Sequence, residues 1–137
     1  MKRKKIRIII DTNLFISFLI GKRLKGLKNS LVENKFELIY TSQILEELRI
    51  VTQRPYFRKF FIESDVLDLI DFVQLIGIEY ELGKEPDVCR DPKDNFLLGL
   101  SEISKANYLV TGDSDLLVIG KFNLTEIINY SEFEKIL

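Results

Sequence analysis

Histidine is absent from the chain. That absence removes Ser-His-Asp and Cys-His catalysis, histidine-based zinc sites and nuclease mechanisms that use a histidine pair. Hydrolytic chemistry here falls to carboxylates, hydroxyls, lysines or a bound metal. Cysteine is nearly absent too. Cys89 stands alone, so no internal disulfide can form and nothing points to an oxidising compartment. Without a histidine to activate it, Cys89 reads as a small, semi-buried residue rather than a nucleophile. An excess of positive charge is also lacking: 20 Lys and Arg stand against 21 Asp and Glu, a net charge of −1. Nucleic acid, if bound, must be met by a local basic patch or through metal ions. No apolar run is long enough to span a bilayer. The stretch Ile6 to Ile10 is broken by Arg7 and stopped by Asp11, too short for the apolar core of a signal peptide. The expectation is a cytoplasmic protein with no membrane partner. Repeats, low-complexity tracts and Pro/Gly/Ser-rich linkers are missing as well. The 137 residues fit one domain, 1–137, and a hydrophobic content of 46% is enough for a real core.

What remains is an alternation of short apolar runs with longer helical ones. The β-branched run Arg7 to Ile10 reads as a buried strand, followed by a helix over Leu14 to Ile20. Leu24, Leu27 and Leu31 share a face of a second helix reaching to Asn34. Phe36 to Tyr40 is a second strand. Ser42 suits the N-cap of a helix carrying Ile44, Leu48 and Val51, which Pro55 ends or kinks. Ser64 suits the cap of a helix over Asp65 to Leu75, with Gly77 as its C-cap. Ile78 to Leu82 is a weaker third strand. Pro92 opens a helix over Asp94 to Lys105, Tyr108 to Val110 is a fourth strand, and Leu116 to Ile119 a short helix. Glu126 to Asn129 is a fifth strand, and Ser131 with Glu134 forms the pattern of a capping box. Strands alternating with helices predict an α/β fold: a three-layer α/β/α sandwich around a mostly parallel, five-stranded sheet. In such sheets ligands bind at the carboxyl ends of the strands.

Acidic residues fall at those ends. Asp11 closes the first strand, Glu47 lies in the helix after the second, Asp94 opens the helix after the third, and Asp113 and Asp115 follow the fourth. Each has a plain alternative role, since Asp at a helix start is a common N-cap and Glu in a helix is usually solvated. Helical phase separates neighbours. Glu47 is three residues from Ile44 and borders the apolar face, whereas Glu46 points away. Asp94 shares a face with Leu97 and Leu98, whereas Asp91 precedes the helix and reads as a turn residue. As a group the acids resist the plain reading, because clustered carboxylates repel one another unless a cation neutralises them. Oxygen-only ligands suit Mg²⁺ or Mn²⁺ better than zinc, and such ions serve in-line displacement at a phosphate.

Four segments then come together: Ile10-Asp11-Thr12-Asn13, Ser42-Gln43-Ile44-Leu45-Glu46-Glu47-Leu48, Arg90-Asp91-Pro92-Lys93-Asp94-Asn95-Phe96-Leu97, and Leu109-Val110-Thr111-Gly112-Asp113-Ser114-Asp115-Leu116. In this order, across nearly the whole chain, the sequence resembles the PIN-domain family, and most of all its bacterial and archaeal members in toxin–antitoxin pairs. The resemblance implies Mg²⁺- or Mn²⁺-dependent hydrolysis of RNA, with the 3′ oxygen leaving and a 5′-phosphate product. It places the acidic set on Asp11, Glu47, Asp94 and Asp113, with Asp115 as an auxiliary metal ligand. Asn13 and Thr111 would orient ligands or waters. The implied role is the toxin of a toxin–antitoxin pair, with single-stranded RNA as substrate and an antitoxin protein and a second copy of the chain as partners.

Three basic groups are candidate substrate contacts: Lys2 to Lys5; Lys22, Arg23, Lys25 and Lys28; and Arg54, Arg58 and Lys59. The third is interleaved with Tyr56, Phe57, Phe60 and Phe61, which suit stacking on unpaired bases or packing as a helix hairpin. A phosphotransfer receiver domain fits less well, because the first strand supplies only Asp11 and Tyr80 to Gly83 offers no phosphoacceptor. A haloacid-dehalogenase-type phosphatase would want Asp where Asn13 stands. The serious rival is a PIN-fold module that binds RNA or a partner protein without cutting.

Overall fold

The computed structural model describes residues 5–82 and 94–137. Cys89, Asp91, Pro92, the loop from Gly83 and the basic residues Lys2, Arg3 and Lys4 lie outside the described residues. Six strands form one sheet in the order β3-β2-β1-β4-β6-β5. The strands are β1 (Arg7–Ile10), β2 (Glu37–Tyr40), β3 (Ile78–Glu79), β4 (Tyr108–Val110), β5 (Lys121–Phe122) and β6 (Thr125–Ile128). All pairings are parallel except β5 with β6. Helices flank the sheet in the α/β arrangement that the alternation of elements predicts. They are α1 (Thr12–Ile20), α2 (Leu24–Glu33), α3 (Ser42–Thr52), α4 (Pro55–Arg58), α5 (Glu63–Ile76), α6 (Asn95–Ser104), α7 (Ser114–Leu117) and α8 (Tyr130–Glu134).

β1 is the central strand because it can be. Ile8, Ile9 and Ile10 are essentially inaccessible, and a run apolar on both faces is stable only between neighbouring strands and beneath two helical layers. From β1 the chain builds outward through β2 and β3, then crosses to β4 on the other side of β1 and continues through β6 to β5. The order therefore reverses between β1 and β4, and the carboxyl ends of those two strands are where sheets of this kind bind ligands.

Several expected boundaries move. The sheet has a sixth strand, β5, which turns back on β6 through Asn123 in a left-handed backbone conformation. β3 is two residues long rather than five. Pro55 does more than end α3, since it sits in the first turn of α4, where its missing N–H costs nothing. The N-cap of α3 is Thr41, not Ser42, and that of α5 is Ile62, leaving Ser64 inside the helix. The capping box belongs to Asn129 and Glu132 rather than Ser131 and Glu134, because pairing of β6 with β4 stops at Ile128 and the next residue must start the turn.

Gly77 closes α5 in an ordinary extended conformation, and its role is close approach rather than backbone freedom. A Cβ here would collide with the Val73 carbonyl oxygen and lie 2.6 Å from a ring carbon of Tyr40. Gly77→Ala is expected to destabilise the protein by about 1–3 kcal/mol, read as a lower denaturant midpoint with unchanged slope. An unchanged midpoint would mean that α5 and β2 pack less tightly than described.

An acidic site at the strand-order reversal

The reversal point is where the sequence places its acids. Asp11 leaves β1 with its backbone N–H donating to the Val110 carbonyl of β4 at 3.0 Å, so both strand ends share one register. Its side chain is 6% exposed. Oδ1 accepts the Asn13 N–H at 3.3 Å and so caps α1; Oδ2 accepts the Thr111 hydroxyl at 2.7 Å. Burial pushes the Asp11 carboxyl above its ordinary value. The Thr111 hydroxyl and the N–H groups of Asn13 and Thr12 pull it back, and the charge of Asp113 adds to the rise.

Thr111 is fully buried and works in both directions. Its hydroxyl donates to Asp11 and its oxygen accepts the Asp113 N–H at 3.0 Å. Asp113 in turn caps α7, its Oδ1 accepting the Asp115 N–H at 2.8 Å. One hydroxyl thus fixes the first acid relative to the turn that carries the fourth.

Asp94 reaches the same place from α6, where it occupies the N-cap position. It is half-buried, with Oδ2 shut off from solvent. One carboxylate oxygen each of Asp94, Asp113 and Asp115 lie within 4.8 Å of one another. Glu47 approaches from α3. It is half-buried while its neighbour Glu46 is exposed, as helical phase requires. Its Oε2 accepts the Thr12 hydroxyl at 3.0 Å.

The structure thus groups Asp94, Asp113 and Asp115 directly, joins Asp11 to them through Thr111, and ties Glu47 to the residue after Asp11. Asn13 is exposed beside Asp11, with its backbone N–H on the carboxylate. Capping and a place in the acidic site coexist for two acids: Asp113 caps α7 and belongs to the cluster, and Asp11 caps α1 and is joined to it through Thr111. Capping does not account for Glu47, which lies mid-helix. Thr12 is the member that the sequence does not single out. Its only signal there is a hydroxyl beside Asp11, and its partner lies 35 residues away.

The donor set is oxygen-only and anionic. Three carboxylates within a few ångströms, beside a fourth that is buried, leave a concentration of negative charge that a hard divalent cation would relieve. The residues fit Mg²⁺ or Mn²⁺ in charge, hardness and number.

A mostly parallel α/β sheet with carboxylates gathered where the strand order reverses is an arrangement found in a nuclease-type fold. A family profile described as PIN domain matches residues 7–115, and the chain belongs to the PIN-domain family. It is 33% identical over 128 residues to the uncharacterized protein MJ1680 of Methanocaldococcus jannaschii, a match covering 90% of this chain and 81% of that one. The solved PIN domain of human SMG5 superposes with a TM-score of 0.51 at 12% identity, over 94% of this chain and 96% of that one, a likeness of fold. PIN domains are generally nucleases; the family generally binds RNA and typically binds divalent metals. Among the described residues, no helix is long and apolar enough to cross a membrane.

Proposed function

We propose that the chain is a Mg²⁺- or Mn²⁺-dependent endoribonuclease and the toxin of a toxin–antitoxin pair. The observation that carries the reading is the convergence of Asp94, Asp113 and Asp115 beside the buried Asp11. Asp11, Glu47, Asp94 and Asp113 would hold the cation, with Asp115 as an auxiliary ligand. When bound, the cation supplies activation of water and neutralisation of charge at the phosphate. The remaining work belongs to the chain. Thr111 keeps Asp11 and Asp113 in fixed relation, so little reorganisation is needed as charge develops. Asn13, exposed beside Asp11, would hydrogen-bond a water or a substrate group.

Single-stranded RNA is the favoured substrate because cations and aromatics share one exposed segment. Tyr56 is 67% exposed, and Lys59 Nζ lies 5.3 Å from its ring centre and 5.2 Å from that of Phe60. Lys22, Arg23, Lys25 and Lys28 follow α1, the helix that begins beside Asp11, and would be a second group of cations for the RNA backbone. An antitoxin would act at the acidic edge by presenting an Arg or Lys in place of the cation, and a second copy of the chain is a further partner of this reading.

Mn²⁺ is expected to raise the stability of the protein, because it binds the assembled acids and not the unfolded chain. At a hundred times its dissociation constant the gain is about 2.7 kcal/mol. A melting temperature indifferent to millimolar Mn²⁺ would sink the metal site. Retained Mn²⁺ binding without cleavage of any single-stranded RNA would favour the non-catalytic module instead.

A further inference from the structure

Buried helical hydroxyls in this protein follow a pattern with one exception. Thr52, Ser101 and Ser104 each donate to the carbonyl four residues earlier in the same helix, at 2.6–2.8 Å. Such back-bonding needs a preceding helical turn. Thr12 is the first residue of α1, preceded by Asp11 and the strand β1, so its helix offers no such carbonyl. The residue is 3% exposed, which denies its hydroxyl water as a ready partner. The hydroxyl instead donates to Glu47 Oε2 at 3.0 Å, across to another helix.

From this geometry we infer that Thr12 is a positioning residue: its hydroxyl fixes the Glu47 carboxylate for cation binding, and through it couples α3 to the β1–α1 junction. The inference rests on the metal-site reading of Glu47 given above. A free glutamate side chain surrenders roughly 1.5–2 kcal/mol of rotamer entropy when it is ordered. A hydrogen bond already present in the folded protein restricts those rotamers before the cation arrives. A carboxylate has about four lone-pair sites, so one bond from Thr12 leaves it able to ligate. The adjacency serves a second end: Thr12 follows Asp11 directly, so the backbone turn that aims the first acid also sets the residue that aims the second.

The test is Mn²⁺ binding by the metal-free protein, measured by calorimetry for wild type, Thr12→Val, Thr12→Ser and Glu47→Gln, and for the Thr12→Val/Glu47→Gln double variant. Thr12→Val keeps the branched shape and removes the donor. It is expected to weaken Mn²⁺ binding about 10- to 100-fold, as loss of a partner behind a metal ligand does. Thr12→Ser keeps the hydroxyl and should stay within a fewfold of wild type. In the Glu47→Gln background, Thr12→Val should cost nothing more. Equal binding by Thr12→Val and wild type would overturn the inference while leaving the metal site standing. So would a loss in Thr12→Ser as large as in Thr12→Val, which would make shape the cause, or an undiminished further loss in the double variant. Absence of Mn²⁺ binding by the wild type would instead remove the metal-site reading, and the role of Thr12 with it. Melting of each metal-free variant separates folding from binding: a Thr12→Val protein that melts with wild type yet binds poorly has lost positioning alone.

Discussion

Glu47→Gln is expected to reduce Mn²⁺-dependent cleavage of a single-stranded RNA by on the order of a hundredfold or more, as when an electrostatic catalytic group is removed. Glu46→Gln should remain within a fewfold of wild type, since surface changes rarely cost more than about 0.5 kcal/mol. The two residues are adjacent, alike in charge and on one helix. Glu47 is half-buried and accepts a hydrogen bond from Thr12, whereas Glu46 is exposed. The substitution preserves size and helix propensity, so circular dichroism should show both variants folded. The reverse result, with Glu46→Gln inactive and Glu47→Gln unaffected, would contradict the orientation of α3. Indifference of activity to both would reject a mechanism that depends on Glu47.

Asp11→Asn separates activity from stability in opposite directions. Cleavage should fall by a comparable hundredfold or more, because a charge proposed to hold the cation is gone. Stability without metal should not fall. In the wild type, burial raises the carboxyl pKa above its unfolded value, with the nearby Asp113 charge adding to it. A raised acid pKa means that the folded state holds its proton more tightly than the unfolded chain does. Its contribution therefore declines as pH rises from the ordinary Asp range, about 3.9, through the folded value, and at neutral pH the ionised group works against the fold. Asparagine removes that charge and still caps a helix well. The metal-free variant is expected to melt at the wild-type temperature or a few degrees above, equivalent to roughly 1 kcal/mol, and to lose the Mn²⁺-induced increase. A metal-free variant less stable than wild type by more than about 2 kcal/mol would show that the Thr111 and Asn13 hydrogen bonds outweigh the burial of charge.

The sheet was legible because its strands carry their signal locally. Ile8 to Ile10 of β1 and Leu109–Val110 of β4 are apolar runs and are buried as such runs require. Helical phase separated Glu46 from Glu47 for the same reason: both neighbours of the helix were visible within one turn. The strand β5 was not legible. β5 is two residues long and its turn lacks the glycine that marks a tight hairpin; Asn123 takes the left-handed conformation instead. Asn129 and Ser131 each have Glu three residues on, so the capping pattern occurs twice in overlapping form. Only the end of the β4–β6 ladder at Ile128 decides between them. At the site, the acids could be assigned to one edge from element order, but their separations could not. Thr111 joins Asp11 to Asp113 from 100 residues away, and Thr12 joins Glu47 to α1 from 35. Such contacts exist only once the strands are side by side.

The two outer strands of the described sheet, β3 and β5, have two residues each. A strand edge attracts company through its row of unpaired N–H and C=O groups, and an edge this short presents very few of them. The described fold is thereby poorly suited to sheet extension, whether by an incoming peptide strand or by uncontrolled stacking of copies during folding. A backbone ladder that accepts almost any extended segment is thereby disfavoured, which leaves side chains, where sequence can discriminate between partners, as the better route for recognition by another chain.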